Sequence, residues 1–311
     1  MTKVAFFGTS DRSLSLLESL KNNFELVLCV TKAQVLVGRH QIAQEPAVKR
    51  WANTNGVNLV TINKSLIREI DTIIEQIKSS KAEVGVVADF SFMLPPQIIN
   101  IFPRGLINVH FSLLPKYRGA SPVQFAILHE DAETGITYQL ITAGLDQGPI
   151  LKQIPYPLNG TETSESLYRA LFDLAAQQLP AVLNDYLADK LPPKPQDESR
   201  VSYTYSSNRP ESTQISKEDA KINWSASTNK IYAAIRAYNP WPIAWTTLEE
   251  LTEAKEKVAE LTALKDPQNA SKTVKIYSAS LLSDRTLLVD KLQVAGGKVL
   301  TWQEFKNGYL A

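Results

Sequence analysis

The first 110 residues alternate between short apolar runs and segments of helical periodicity, and this alternation limits the fold more than any other feature of the sequence. Between the runs, apolar residues recur at helical spacing, as Leu14, Leu17 and Leu20 do. Short continuous apolar runs are typical of strands buried on both faces. The alternation predicts an α/β domain with an open, mostly parallel sheet and helices on both faces. The runs lie at residues 4–7, 26–30, 59–61, 84–87 and 105–110.

Polar residues near the ends of the later runs suggest where a site would form. Asp89 follows the fourth run, and Asn108 and His110 close the fifth. In open sheets of this doubly wound, Rossmann-like kind, ligands bind beyond the carboxyl ends of the strands. We therefore expect a functional site at that edge of the sheet.

The second half of the chain begins with a long helical segment and then changes character. Residues 164–186 carry leucines at helical spacing, and Pro180 among them predicts that the helix breaks or restarts there. A proline-rich stretch follows at 191–196, which is typical of a connection between domains. These features predict a first domain over residues 1–188, a linker over 189–209 and a second domain over 210–311.

Short β-rich runs fill the second domain and predict a smaller β-rich fold, an OB-like barrel. Residues 249–270 are rich in Glu, Lys and Ala, so we expect them to form a surface helix or a mobile loop. Thirteen Lys and Arg stand against twelve Asp and Glu in residues 210–311, which is not the strong basic surplus of a dedicated RNA-binding module. The β-rich runs lie at residues 245–248, 274–277, 287–289 and 292–294.

Composition narrows the classes of function. The formal net charge of +1 excludes a globally basic nucleic-acid binder but allows a local basic patch. The chain has one cysteine, Cys29, and three histidines, so we expect neither an intrachain disulfide nor a metal site. No apolar run approaches the roughly 18 residues of a membrane span, and residues 4–7 are too short for a signal-peptide core. These features predict a cytoplasmic protein that does not enter a membrane.

The densest polar motif runs from Asn108 to Pro122. Asn108 and His110 are two residues apart on a predicted strand, so their side chains point to the same face. An amide donor beside an imidazole offers stabilisation of a developing oxyanion and a proton carrier near neutral pH. The alternative is a core histidine whose ring nitrogens are satisfied by hydrogen bonds.

A second motif places Asp146 between glycines, in Gly144-Leu145-Asp146-Gln147-Gly148. An aspartate in this setting is commonly a turn residue that binds its own backbone. A carboxylate close to His110 would instead favour the charged imidazolium and hold the ring in one orientation. An amide, an imidazole and a carboxylate together would form a three-residue acyl-transfer site.

These two motifs resemble those of the formyltransferase family that uses formyl-tetrahydrofolate. The resemblance extends over about residues 3–248, and residues 222–224 and 235–242 match the second-domain pattern of its tRNA-modifying members. Residues 118–124 are also similar to the form found in those members, whereas the sugar-modifying relatives place a bulkier or basic residue after Gly119. The resemblance implies that Asn108, His110 and Asp146 are the catalytic residues.

The same resemblance implies sites for a folate and for RNA. The folate-contacting pattern falls on Ser112, Leu113, Leu114 and Pro115, and a pterin pocket would be lined by Phe92, Met93 and Leu94. Ordinary core packing is the alternative for Phe90, Phe92 and Met93. Arg39 falls on the loop that engages the acceptor arm of tRNA, and the alternative for it is a solvated surface arginine.

The resemblance implies a cytoplasmic enzyme of translation initiation and one-carbon metabolism. It would transfer a formyl group from 10-formyltetrahydrofolate to the free amine of initiator methionyl-tRNA, bound as a transient substrate. A formyltransferase acting on an amino-sugar nucleotide is the nearest alternative, and a folate- or RNA-binding protein that has lost activity is a third. We expect no metal, no membrane association and a monomer.

Overall fold

The computed structural model describes residues 1–37, 42–63 and 65–311. The chain forms two compact units, and each is built from more than one stretch of sequence. Residues 189–202, which the sequence assigns to a linker, belong to the first unit. The first unit comprises Met1–Arg118, Gly135–Tyr156 and Tyr168–Ser202, and the second comprises Gly119–Thr134, Pro157–Leu167 and Tyr203–Ala311.

A mostly parallel sheet is the framework of the first unit, as the sequence predicts. The strands of this part of the chain, in sequence order, are β1 (Lys3–Phe7), β2 (Glu25–Lys32), β3 (Val35–Val37), β4 (Ile42–Gln44), β5 (Asn58–Ile62), β6 (Val84–Val87), β7 (Leu106–His110), β8 (Glu133–Leu140) and β9 (Ile150–Pro157). Among the described residues, seven of them form one sheet in the order β5-β2-β1-β6-β7-β8-β9, while β3 pairs with β4. The β5-β2-β1-β6-β7 pairings are parallel, and β8 runs antiparallel to β7.

The helices of the described chain follow these strands or lie in the second unit. They are α1 (Leu14–Asn23), α2 (Ala47–Asn55), α3 (Ile70–Ser80), α4 (Pro96–Ile99), α5 (Pro122–Leu128), α6 (Ser164–Leu187), α7 (Thr228–Ala237), α8 (Leu248–Glu253) and α9 (Trp302–Tyr309). None of them is both long enough and apolar enough to cross a bilayer, within the part of the chain that the structure describes.

The sheet of the first unit is covered on both faces because strand side chains alternate between them. Ala5 and Phe7 pack on one face with Ile73 and Ile77 of α3. Val4 and Phe6 of β1 point to the other face and are fully buried, and α1 and α2 also contact β2. The predicted layering is therefore confirmed.

The sequence predicts a break in α6 at Pro180, and this prediction is wrong: the helix is continuous from Ser164 to Leu187. Proline has no N–H, so Pro180 leaves the carbonyl of Ala176, one turn earlier, without its helical donor. The hydroxyl of Ser19 on α1 donates to that carbonyl at 2.6 Å. A neighbouring helix thus supplies the hydrogen bond that the proline removes.

An antiparallel sheet forms the centre of the second unit. Its strands, in spatial order, are β10 (Ala244–Thr247), β11 (Thr273–Leu281), β12 (Leu287–Val294) and β13 (Val299–Thr301). Ile231 and Ile235 of α7, Leu251 of α8 and Phe305 of α9 are buried in the same core as the inner faces of these strands. The predicted small β-rich part of the chain is confirmed as a β-sheet packed with helices.

Two details of the second unit differ from the sequence prediction. The runs at 287–289 and 292–294 are one strand, because pairing irregularities near Ser278 leave Asp290 and Lys291 exposed in succession and so hide the alternation. The segment 249–270 is not wholly at the surface, since Leu251 and Val258 are buried in the core.

Candidate active site

The pairing of β7 with β8 brings four polar side chains to one face of the sheet. Asn108 lies opposite Gln139, and His110 lies opposite Thr137. Because residues two apart on a strand share a face, the Asn108 and His110 side chains lie beside the Gln139 and Thr137 side chains. The sequence predicts the first pair but not the second. The alternation of polar and apolar residues along β8 is the pattern that could have indicated Thr137 and Gln139.

Asp146 lies in the loop between β8 and β9, and the loop can close only with glycine at position 148. A Cβ on Gly148 would lie 1.6 Å from the carbonyl oxygen of Leu140. Asp146 itself takes the left-handed conformation, with φ of 50°, which aspartate tolerates better than most residues. Its Oδ1 accepts hydrogen bonds from Nδ2 of Asn108 at 3.3 Å and from Nε2 of Gln139 at 3.1 Å.

His110 is held between a backbone carbonyl and this carboxylate. Its Nε2 lies 3.0 Å from the carbonyl oxygen of Tyr117, and its Nδ1 lies 3.7 Å from Oδ1 of Asp146. Since a carbonyl oxygen only accepts, Nε2 carries a hydrogen and donates it to Tyr117, while Nδ1 is the ring nitrogen that faces the carboxylate. The two side chains are 6% and 14% exposed, so solvent screens their attraction less than it would at the surface.

The residues expected to contact folate follow directly from this strand. Ser112 is buried and donates its hydroxyl hydrogen to the carbonyl of Lys116, while Leu114 and Pro115 are buried and Leu113 is half-buried. Thr137 ties the segment to β8, because its hydroxyl donates to the carbonyl of Ser112 and accepts from the N–H of Leu114. The segment is thereby fixed beside the three polar groups around Asp146.

The second group of expected folate contacts consists of Phe92, Met93 and Leu94. Phe92 and Leu94 are partly buried and pack against the core of the first unit, and the ring of Phe92 lies 5.5 Å from that of Phe90. Met93 is 68% exposed. Their role in lining a pterin pocket stays a prediction.

Two further residues near Asp146 were missed by the sequence reasoning. Gln196, which was placed in the linker, is buried and donates to the carbonyls of Asp146 and Gly148, both at 2.8 Å. Arg118 is fully buried and binds both the side-chain oxygen of Gln196 and the carboxylate of Glu198. The hydrogen bond from Arg118 lowers the pKa of Glu198. Gln196 lies 50 positions from Asp146 and 78 from Arg118, and no periodicity in the sequence signals such distant contacts.

Arg39, the candidate RNA contact, lies outside the described residues. Among the residues that the structure does describe, no group of three or more His, Cys, Asp or Glu side chains is arranged to hold a metal ion.

Comparison with known proteins gives two matching family profiles and close full-length relatives. The profile described as formyl transferase matches residues 2–183, and the formyl transferase, C-terminal domain profile matches residues 214–310. Methionyl-tRNA formyltransferase of Legionella pneumophila (strain Corby) is 34% identical over 308 residues, which cover 98% of this chain and 94% of that protein. The protein of the same name from Listeria innocua serovar 6a (strain ATCC BAA-680 / CLIP 11262) is 32% identical over 310 residues, or 99% and 96% of the two chains.

A solved structure is similar in fold. The methionyl-tRNA formyltransferase from Clostridium thermocellum aligns with a TM-score of 0.59 at 16% identity, covering 96% of this chain and 100% of that chain.

Proposed function

Since the chain belongs to the formyl transferase family, we propose that it transfers a formyl group from 10-formyltetrahydrofolate to the free amine of initiator methionyl-tRNA, in preparation for translation initiation. The observation that carries this proposal is the meeting of Asn108, His110 and Asp146 around one carboxylate oxygen. The names of its full-length relatives support methionyl-tRNA as the acceptor.

The reaction requires one bond to form and one to break. The amine nitrogen bonds to the formyl carbon, the bond between that carbon and the folate nitrogen breaks, and the proton lost by the amine balances the one gained by the folate nitrogen. Negative charge builds on the formyl oxygen as the amine adds. The protein therefore has to stabilise that charge and move one proton.

Asn108 is suited to stabilise the charge. Its amide carries two N–H bonds, and donation of one to Asp146 leaves the second for the formyl oxygen. Loss of one such donor typically slows a reaction by about 100- to 1000-fold. A protonated His110 adds a second donor at Nδ1, because the Tyr117 carbonyl occupies Nε2.

Asp146 is suited to keep His110 charged and to help take the proton of the amine. Its carboxylate faces Nδ1, the ring nitrogen that is not hydrogen-bonded to the Tyr117 carbonyl. Asn108 and Gln139 both donate to Oδ1, which stabilises the ionised carboxylate.

For the folate, the proposal assigns Ser112, Leu113, Leu114 and Pro115 to contacts beside the reacting group, and Phe92, Met93 and Leu94 to the pterin. Apolar surface beside a few fixed polar groups suits a flat heterocycle with a polar edge. The Asn108 amide fits a formyl carbonyl, since it offers a donor where that oxygen needs one.

For the RNA, the proposal assigns Arg39 to the acceptor end and residues 210–311 to tRNA binding, with residues 1–188 as the catalytic part. Of the predicted linker over 189–209, residues 189–202 belong with the catalytic part. Methionyl-tRNA is then a transient partner. We propose in addition a monomer in the cytoplasm, where an aminoacyl-tRNA substrate is made and used.

The test is formyl transfer by the purified protein from labelled 10-formyltetrahydrofolate. Initiator methionyl-tRNA, uncharged initiator tRNA and an amino-sugar nucleotide are the acceptors in parallel reactions. We expect label on methionyl-tRNA alone, and loss of most of the rate in His110→Ala with the fold kept. Label only on the sugar nucleotide would replace the proposed acceptor, and no transfer to any acceptor would end the proposal.

A further inference from the structure

The side chain of Gln196 joins a buried arginine to the backbone of the Asp146 loop. Its Oε1 accepts from Nε of Arg118 at 3.1 Å and from an Nη of Arg118 at 2.8 Å. Its Nε2 donates to the carbonyls of Asp146 and Gly148, both at 2.8 Å, and lies 3.2 Å from Oε1 of Gln139. Gln196 is 9% exposed, so water competes little for these bonds.

The chemistry of the partners fixes the orientation of this amide. A guanidinium only donates, so the atom facing Arg118 is the oxygen. Backbone carbonyls only accept, so the atom facing Asp146 and Gly148 is the NH₂ group. A side chain with a donor end and an acceptor end is required at this place.

The segment that carries Gln196 is itself hydrogen-bonded to two stretches of backbone that flank the active site. Lys194 and Ile150 exchange backbone hydrogen bonds at 2.7 and 2.9 Å. Further along, the hydroxyl of Ser202 accepts from the N–H of Tyr117 at 2.9 Å, and the carbonyl of Tyr117 holds His110. The stretch from 194 to 202 therefore contacts the backbone on both sides of the His110–Asp146 pair.

We propose that Gln196 is a positioning residue for the transfer reaction, acting with Arg118 to hold the Asp146 loop so that its carboxylate faces Nδ1 of His110. Two of its bonds fix the backbone on either side of Gln147, and the contact with Gln139 reaches the residue that donates to Asp146 Oδ1. Gln196 touches no reacting atom in this account. The inference rests on the proposed function for its kinetic consequence, but its structural consequence can be measured independently.

The test replaces the Gln196 amide by two groups of similar size, a carboxylate and a thioether. The carboxylate of Gln196→Glu still pairs with Arg118, but its second oxygen faces two carbonyl oxygens and repels them. We expect kcat to fall by about 100-fold, as a misplacement of about 1 Å in a site does, with KM for both substrates little changed. Gln196→Met keeps the volume, removes every hydrogen bond and should lose a similar amount of kcat.

The loss of kcat should not depend on pH. Arg118 lowers the pKa of a carboxyl at this place, as it does that of Glu198, so the introduced carboxylate stays ionised between about pH 8 and about pH 5. The ratio of kcat in Gln196→Glu to kcat in the wild type should therefore stay low across this range, as should the ratio for Gln196→Met. Asn55→Asp is the matched control and should leave kcat unchanged, because Asn55 of α2 likewise joins a cation, the Lys21 ammonium, to a backbone carbonyl, that of Trp51.

A second readout needs no turnover: the ring ¹⁵N chemical shifts of His110, which we expect to move in both Gln196 variants and not in Asn55→Asp. Wild-type kcat in Gln196→Glu, or unmoved His110 signals, would overturn the inference. If the wild type transfers no formyl group, the proposed function fails, and the His110 signals alone decide the inference. If a variant unfolds, the other one supplies both readouts.

Discussion

Nδ1 of His110 lies 3.7 Å from Oδ1 of Asp146, while Nε2 of the same ring lies 3.0 Å from the carbonyl oxygen of Tyr117. The first distance exceeds that of a hydrogen bond and the second does not. The ring is therefore oriented by the backbone of Tyr117, and Asp146 acts on it through charge. Contacts of this kind commonly tighten when substrate binds.

Asp146→Asn should lower kcat by about 100- to 10,000-fold, the range for removal of a positioned acid–base group. The replacement has the same shape but takes away the negative charge that faces Nδ1 of His110. Single-turnover transfer of labelled formyl groups, with circular dichroism to monitor the fold, measures this effect.

Asp185→Asn is the matched control for that experiment. Asp185 lies on α6, and its ion pair with exposed Lys190, at 3.8 Å, is a contact of little energetic consequence. A rate for Asp146→Asn within a few fold of the wild type and of this control would remove Asp146 from the mechanism.

The sequence predicts those parts of the site that depend on local pattern. Asn108 and His110 share a strand face by spacing alone, and the glycines around Asp146 mark its loop. The pairing of Gln139 with Asn108 depends on which strand lies beside β7, and β8 runs antiparallel in an otherwise parallel region. The role of Gln196 is harder still to predict, because a proline-rich stretch has no periodicity that would indicate a buried contact.

In the fold, too, local sequence pattern predicts some elements, while distant contacts determine others. Apolar runs such as Val84–Val87 predict strands because a short continuous apolar run is typical of a strand that is buried on both faces of a sheet. The continuity of α6 through Pro180 is not predictable, because it depends on Ser19, a residue far away in the sequence. Tertiary hydrogen bonding here overrides the local preference of proline.

Ser19→Ala should lower the free energy of unfolding by about 0.5–1.5 kcal/mol, the net contribution of a typical hydrogen bond, because this bond is only partly buried. In a Pro180→Ala background the same change should cost less, because the new N–H at position 180 binds the Ala176 carbonyl. Denaturant titrations of the four proteins in this cycle give the coupling directly.

Ser15→Ala provides the comparison for Ser19→Ala. Ser15 also reaches α6, but at 3.5 Å and to the carbonyl of Phe172, which keeps its own helical donor four residues later. We expect a smaller loss that is the same with or without Pro180. Equal costs for Ser19→Ala in both backgrounds would contradict the account of α6 given above.

Three contacts together lower the pKa of Glu250 from 4.5 to about 2. The Lys221 ammonium has the largest effect, and the N–H of Thr247 and the hydroxyl of Thr246 add to it. A carboxyl whose pKa falls on folding adds stability above its unfolded pKa and loses that stability as the pH drops toward its folded pKa. The second unit should therefore lose this contribution between about pH 5 and about pH 2.

Glu250→Gln should be less stable than the wild type at neutral pH and should show a flatter decline over that window. Unfolding titrations at several pH values measure the slope. Glu253→Gln, on the same helix but without these three contacts, is the control. Parallel curves for the wild type and Glu250→Gln would show that Glu250 does not account for the acid sensitivity.

Arg39→Ala should raise KM for methionyl-tRNA by about tenfold, which corresponds to about 1.4 kcal/mol, and should leave folate binding unchanged. A contact with a phosphate also makes binding depend on salt, so the variant should lose about one unit of slope in a plot of log affinity against log salt concentration. Arg68→Ala removes an exposed arginine of the first unit and serves as the control. If both variants bind tRNA as the wild type does, Arg39 is a solvated surface residue, and the RNA must be held by other groups.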